Sequence, residues 1–198
     1  PGAVISAVPQ DLKFQGEDTT AEVGDNNKIR ENVTINRGTA AKGKTCVGSG
    51  NLLMESVHVA HDAFVGNDCI IGNGTKLAGE IIIDDHAIIS ANVLMHQFCR
   101  VGGYTMVGGG TRFSQDIPPY TICAREPVAY CGLNLVGLRR RGFSNELIEN
   151  IHNAYRIIYQ GGVPLNEALQ KVREEVPASP EINYIIEFIE NSKRGFVH

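Results

Sequence analysis

The chain has 198 residues, a formal charge of −4 and only 20% charged residues, which fits one globular domain with at most a modest appendage. The one basic run is Arg139-Arg140-Arg141, so we expect no nucleic-acid partner. No stretch approaches the ~18 uninterrupted apolar residues of a membrane span, and no secretory signal opens the sequence. We therefore expect no integral membrane segment.

Cysteine usage points to a reducing compartment. An odd number of cysteines with no CxxC pair argues against both a disulfide framework and a thiolate zinc site, and we expect a cytoplasmic location. The sequence begins at Pro1 rather than at an initiator Met, and its first residues already have the pattern of the middle of a folded domain. We therefore expect that the natural protein starts further upstream. The five cysteines are Cys46, Cys69, Cys99, Cys123 and Cys131.

A six-residue period dominates the first two-thirds of the chain. Period 6 fits neither an amphipathic helix nor a simple alternating strand. It is typical of a parallel β-helix, in which an 18-residue triangular coil has three flat faces and each face sends one aliphatic side chain inwards. An ordinary β-sandwich with fortuitous spacing is the alternative. The phase starts at Val23, Ile29 and Ile35, has Ala41 in step, and continues through Val47, Leu53, Val59, Val65, Ile71, Leu77, Ile83, Ile89, Met95, Val101, Val107 and Phe113.

One segment interrupts the coils and another ends them. Residues 37–45 are rich in Gly and Lys, and we expect them to form a loop outside the coil. The hexads stop at Pro118-Pro119. We therefore assign residues 1–120 to a parallel β-helix and residues 121–198 to a C-terminal α-helical domain, which gives a mainly β fold class.

Three helices are predicted in the tail. The first follows a Ser144 cap and ends at Gly161-Gly162, where glycine is a common stop. The second spans about 164–176. The third opens at Ser179-Pro180 and ends near Gly195, with proline at a position that helix starts tolerate well. Such a tail can cover one end of the stacked coils.

The 18-residue coil also predicts which outward side chains stack. Residues 18 apart form a column, and one column brings imidazole and carboxylate groups together on a stiff surface. Histidine titrates near neutral pH, so this cluster suits a general base. This column contains His61, Gly79 and Gln97, and the neighbouring column contains Asp62, Glu80 and Phe98. His58 and His96 occupy nearby positions of the repeat, so they lie close to the same column.

A zinc site is the alternative use of these histidines. The offsets of His58, His61 and His96 do not give the convergent set that zinc requires at about 2.0–2.1 Å. We therefore expect no metal and no other cofactor. The isolated His86, His152 and His198 are expected to be inert.

Several short motifs resemble those of the UDP-N-acetylglucosamine O-acyltransferases of lipid A biosynthesis. The resemblance runs from about Gln10 to the C-terminus and includes the tail. It implies the left-handed form of the β-helix and further coils upstream. The motifs are Gln10-Asp11-Leu12-Lys13, Ile29-Arg30-Glu31, His58-Val59-Ala60-His61-Asp62, Leu77-Ala78-Gly79, His96-Gln97-Phe98-Cys99, Gln115-Asp116-Ile117-Pro118-Pro119-Tyr120 and Gly137-Leu138-Arg139-Arg140-Arg141-Gly142-Phe143.

The resemblance implies transfer of a 3-hydroxyacyl chain from acyl carrier protein to the glucosamine 3-hydroxyl of UDP-N-acetylglucosamine. His61 matches the general base, Asp62 its supporting carboxylate, and Gly79 the N–H that stabilises the oxyanion. Gly109 matches a position beside the acyl groove, where glycine implies a long donor chain. Substrate-binding positions are matched by Asp11, Lys13, His58, His96, Gln97, Asn134, Arg140 and Arg141.

The resemblance also implies a homotrimer, with active sites between subunits. The sequence departs from the usual pattern at three points. Asn36 and Glu80 stand where well-known members have His, and Val136 stands where Glu is usual, so substrate contacts there are open to question.

Other interpretations remain open at this stage. The pathway's later N-acyltransferase shares the hexads and a catalytic His, but usually carries a separate uridine-binding domain. A non-catalytic hexapeptide scaffold predicts no clustered histidines. The basic run at 139–141 could hold nucleotide phosphate, contact an acidic carrier protein, or simply be a solvated approach to a helix.

Overall fold

The computed structural model describes residues 1–198, which form a left-handed parallel β-helix followed by helices, as predicted. The strands are β1 Val4–Ala7, β2 Thr20–Val23, β3 Lys28–Ile29, β4 Thr34–Asn36, β5 Lys44–Val47, β6 Leu52–Leu53, β7 His58–Val59, β8 Phe64–Val65, β9 Ile70–Ile71, β10 Lys76–Leu77, β11 Ile82–Ile83, β12 Ile88–Ile89, β13 Leu94–Met95, β14 Arg100–Val101, β15 Met106–Val107, β16 Arg112–Phe113, β17 Thr121–Ala124 and β18 Ala129–Leu133.

The strands form three flat faces, because every third strand returns to the same sheet. The first face has the order β1-β4-β7-β10-β13-β16, the second β14-β11-β8-β5-β2, and the third β18-β17-β15-β12-β9-β6-β3. All pairs are parallel except β17 with β18. The twelve hexad positions from Val47 to Phe113 are all buried in one apolar core, which explains why the period is so strict.

A six-residue insertion lies where the sequence predicts a loop. Lys76 pairs with His58, 18 residues away, whereas His58 pairs with Thr34, 24 residues away. The extra residues leave the coil between β4 and β5. The period predicts that Ala41 is a core position, and this prediction is wrong. Ala41 lies in the loop and is exposed.

The tail contains four helices, α1 Leu135–Arg140, α2 Asn145–Gln160, α3 Leu165–Glu175 and α4 Pro180–Glu190. Ser144 and Ser179 cap α2 and α4 through their side chains, at the residues predicted. The short α1 was not predicted, and α4 ends five residues before Gly195.

Residues 121–133, which a boundary at 120 assigns to the tail, form β17 and β18 and extend the third face. The helices pack in a second apolar cluster, which also includes Tyr120 and Leu133 from the end of the β-helix. No helix is both long and apolar enough to cross a membrane.

Candidate functional site

His61 lies at the edge of the prism between the first and second faces, directly after β7. Its Nδ1 is 2.8 Å from Asp62 Oδ2, and its Nε2 makes no hydrogen bond within the chain. An imidazole held at one nitrogen and free at the other is the arrangement that a general base requires.

The Asp62 carboxylate is saturated by hydrogen bonds. Besides His61, it accepts from the Thr39 hydroxyl at 2.6 Å, from the Thr39 N–H at 2.9 Å and from the Lys42 N–H at 3.2 Å. The Asp62 N–H in turn donates to the Thr45 hydroxyl at 2.8 Å. Burial acts to raise the pKa of Asp62, but the hydrogen bonds from Thr39 and His61 outweigh it and hold that pKa below its usual value.

The burial of His61 differs from the outward, open position that the sequence predicts. The His61 side chain points away from the apolar core, yet the residue is only 8% exposed. The inserted loop explains the difference, because Thr39, Ala40 and Ala41 line the cavity beside the imidazole. Thr39 and Lys42 were missed by sequence reasoning, since a loop outside the repeat has no fixed register to count from.

Gly79 lies against the His61 ring, one coil further along. A Cβ on Gly79 would sit 2.5 Å from Cε1 and 2.6 Å from Nε2 of His61, so only glycine leaves room for this ring position. The Gly79 N–H has no hydrogen-bond partner in the chain. It is therefore available as a donor beside the free nitrogen of the imidazole.

Two cavities meet at His61. The first, of about 690 Å³, is lined by polar residues that include Asp11, Lys13 and Gln97. The second, of about 440 Å³, is lined by His58, Gly79 and Gln97 together with the apolar residues Leu77, Leu94 and Met95. The imidazole is therefore accessible to a bound molecule from either cavity.

His58 supports the second cavity as a neutral side chain. Its Nδ1 is 2.7 Å from the Thr34 hydroxyl. Burial lowers its pKa, with further contributions from Lys76 and His61. His96 is less central than predicted: it is exposed, with Nδ1 3.0 Å from the Gln97 carbonyl, and it lines a separate cavity near Arg112.

The predicted nucleotide-binding residues lie on another edge of the prism. Arg141 Nη1 donates to His86 Nδ1 at 2.9 Å, and His86 lies between β11 and β12, where the second and third faces meet. His86, expected to be inert, is thus a partner of Arg141, and burial lowers its pKa, as does the guanidinium. Arg140 is exposed.

Within one chain, Asn134 has a structural role, because its side chain caps α1 and joins it to the β-helix. Its side chain accepts from the Gly137 N–H at the start of α1 and donates to the Tyr104 carbonyl at 2.9 Å. Gly109 lies between β15 and β16, at the edge where the third face meets the first. One chain therefore does not bring Asn134, Arg141 or Gly109 to the edge that carries His61.

No group of three His, Cys, Asp or Glu side chains is arranged to hold a metal ion. All five cysteines are free thiols.

Comparison with known proteins gives one consistent family. Residues 116–197 match a family model described as UDP-N-acetylglucosamine O-acyltransferase, domain 2. The structure is similar to a UDP-N-acetylglucosamine acyltransferase of Bacteroides fragilis, with 73% identity, a TM-score of 0.97, and coverage of 100% of this chain and 78% of that one. The corresponding values are 42%, 0.95, 100% and 77% for the Moraxella catarrhalis O-acyltransferase, and 34%, 0.93, 99% and 72% for the Arabidopsis acyltransferase.

Proposed function

The chain belongs to the family of UDP-N-acetylglucosamine O-acyltransferases, and on that basis we propose how its residues carry out the reaction. The enzyme transfers a 3-hydroxyacyl chain from acyl carrier protein to the glucosamine 3-hydroxyl of UDP-N-acetylglucosamine, the first step of lipid A biosynthesis. This family sets aside the N-acyltransferase and the non-catalytic scaffold.

His61 Nε2 accepts the proton of the 3-hydroxyl as that oxygen attacks the thioester carbonyl carbon. Asp62 holds Nδ1–H at 2.8 Å and stabilises the imidazolium that forms. The Gly79 N–H donates to the developing oxyanion. The intermediate then expels the carrier's thiolate, which takes the proton from His61. The observation that carries this proposal is the free Nε2 at the meeting point of two cavities.

We propose that each substrate binds in one of the two cavities, which are lined by side chains suited to it. In the larger cavity, Asp11, Lys13 and Gln97 are placed to hydrogen-bond the hydroxyls and phosphates of the nucleotide sugar. In the smaller one, His58 is a neutral hydrogen-bonding group beside an apolar wall that suits an acyl chain.

We propose that the enzyme is a homotrimer whose sites are shared between chains. Arg141 and His61 lie on different edges of one prism, so a nucleotide that contacts both requires two chains. Apolar side chains near the His61 edge, Phe64, Phe98 and Leu94, are 44–50% exposed, and a neighbouring prism would cover them. Closed three-fold symmetry repeats this contact without free ends. We also place the reaction in the cytoplasm, where free thiols remain reduced.

Replacement of the base tests the mechanism. His61→Ala should retain the fold, because the side chain lies outside the apolar core, and should lower kcat by roughly 10²–10⁴-fold. The assay is mass spectrometry of UDP-N-acetylglucosamine incubated with a 3-hydroxyacyl carrier protein. His152→Ala on α2 is the control, since this exposed histidine pairs with Glu149 on the same helix and lies outside both cavities beside His61. A folded His61→Ala variant with wild-type turnover would show that another group is the base.

A further inference from the structure

The cavity beside His61 has an unfavourable charge for a nucleotide diphosphate. Three carboxylates line it, those of Asp11, Glu17 and Glu80, against the single ammonium of Lys13. Like charges within about 10 Å, the Debye length at 0.1 M ionic strength, repel one another measurably. An anionic substrate therefore needs a further cation near these carboxylates.

Glu80 lies beside the proposed base, one coil further along, and lines the same cavity. It follows Gly79, its N–H donates to the His61 carbonyl at 3.0 Å, and it occupies the corner of the next coil with a left-handed φ of 58°. Its carboxylate is mostly covered, with 22% of the side chain exposed. A partly desolvated charge interacts more strongly with other charges in the cavity than a charge on the open surface does.

Lys42 provides a cation opposite this carboxylate. Its Nζ is 4.0 Å from Glu80 Oε2. The lysine backbone is fixed independently, because its N–H donates to Asp62 Oδ1. The carboxylate that orients His61 thus also fixes the loop that carries the ammonium group.

We infer that Lys42 is a positioning residue for the nucleotide sugar: its ammonium neutralises Glu80, so that the diphosphate of UDP-N-acetylglucosamine can occupy the cavity beside His61. The inference rests on the proposed function. It gives Glu80, a departure from the usual family residue, a compensating partner within the same chain.

Lys42→Ala tests the inference and keeps the backbone hydrogen bond to Asp62. At low ionic strength we expect the KM for UDP-N-acetylglucosamine to rise about three- to tenfold, with little change in kcat or in the KM for the acyl carrier protein. The rise should shrink in about 0.5 M salt, because counterions then screen Glu80. Adding Glu80→Gln to Lys42→Ala should return the KM to within about twofold of wild type.

The matched control is Lys171→Ala on α3. Lys171 has nearly the same side-chain exposure as Lys42, 39% against 40%, and also pairs with a glutamate, Glu167. It should leave both KM values unchanged.

An unchanged KM in Lys42→Ala, or a rise that Glu80→Gln does not reverse, overturns the role of Lys42 while the proposed function stands. A wild-type enzyme with no transferase activity overturns the proposed function, and the inference with it. A loop-clamping role alone would lower thermal stability without a salt-dependent KM, and that result also counts against the inference.

Discussion

Asp62 does more than orient the proposed base, His61. One of its oxygens, Oδ2, accepts both from His61 Nδ1 and from the Thr39 hydroxyl, while Oδ1 accepts two N–H groups of the inserted loop. A buried carboxylate with all its hydrogen bonds made is held in one orientation. The position of the His61 ring therefore depends on Thr39, although Thr39 makes no hydrogen bond to the imidazole.

Thr39→Val tests that dependence with a side chain of similar shape. It removes the hydroxyl donor but keeps the N–H bond, so the carboxylate gains freedom to rotate. We expect kcat to fall about tenfold, with the KM values little changed, and the free energy of unfolding to fall by about 1–2 kcal/mol. Steady-state kinetics and urea denaturation measure the two effects.

Thr39→Ser is the matched control, because it restores the donor and should recover most of the kcat. If serine and valine variants were equally slow, the methyl group rather than the hydroxyl would be responsible.

Gly109 offers a second test at the level of one residue. A Cβ there would meet the Ala91 carbonyl at 3.3 Å, so a side chain fits after a small shift and then projects from the edge between β15 and β16. If a neighbouring chain's acyl groove passes this edge, Gly109→Met should shift the preference towards shorter 3-hydroxyacyl donors. A panel of donors of different length measures this. The same preference in variant and parent would contradict a role in chain-length selection.

At the level of elements, a few polar contacts join the helical tail to the coils. The Tyr184 hydroxyl on α4 donates to the Asp84 carboxylate after β11 and accepts from the Gly103 N–H at 2.8 Å. Arg100 lies over the Phe188 ring at 4.5 Å. Burial raises the pKa of Asp84, although Tyr184 and Arg100 act in the opposite direction. The tail is therefore fixed to the second face rather than resting on it loosely.

Tyr184→Phe should weaken this attachment. It leaves the Gly103 N–H without its partner and removes one donor from Asp84, so we expect the free energy of unfolding to fall by about 1–3 kcal/mol. Thermal and urea denaturation measure the loss, and kcat below the melting temperature should stay near wild type. Tyr130→Phe is the control, since the Tyr130 hydroxyl makes no hydrogen bond within the chain. Equal melting temperatures for both variants would mean that apolar packing alone holds the tail.

For the whole molecule, the proposed trimer implies that each chain contributes residues to two different sites. Under the proposed trimer, His61→Ala and Arg141→Ala chains are each inactive or impaired alone, but a mixed trimer contains interfaces in which both residues are intact. Random co-assembly should restore about a quarter of the wild-type activity. The measurement compares co-expressed chains with the same chains mixed after separate assembly. Activity no higher than that of the separate variants would place both residues in one chain's site.

The coil, its core and the column around His61 could be predicted from the order of the amino acids alone. These follow because each coil has 18 residues, so stacking neighbours can be counted directly, as Lys76 opposite His58 confirms. The stacking of Gly79 on His61 could be predicted for the same reason, whereas the roles proposed for His61, Asp62 and Gly79 also depend on the resemblance to the family. The helix starts at Ser144 and Ser179 could be predicted from local capping chemistry.

The residues that cover His61, and those that share an edge of the prism, could be identified only in the folded chain. The insertion between β4 and β5 breaks the period, and its position is set by hydrogen bonds to Asp62 instead of by the strand ladder. Its burial of His61 and the pairing of Lys42 with Glu80 were therefore invisible in the sequence. Likewise, Arg141 lies beyond the repeat, and the packing of the tail, rather than any spacing, brings it to His86 and away from His61.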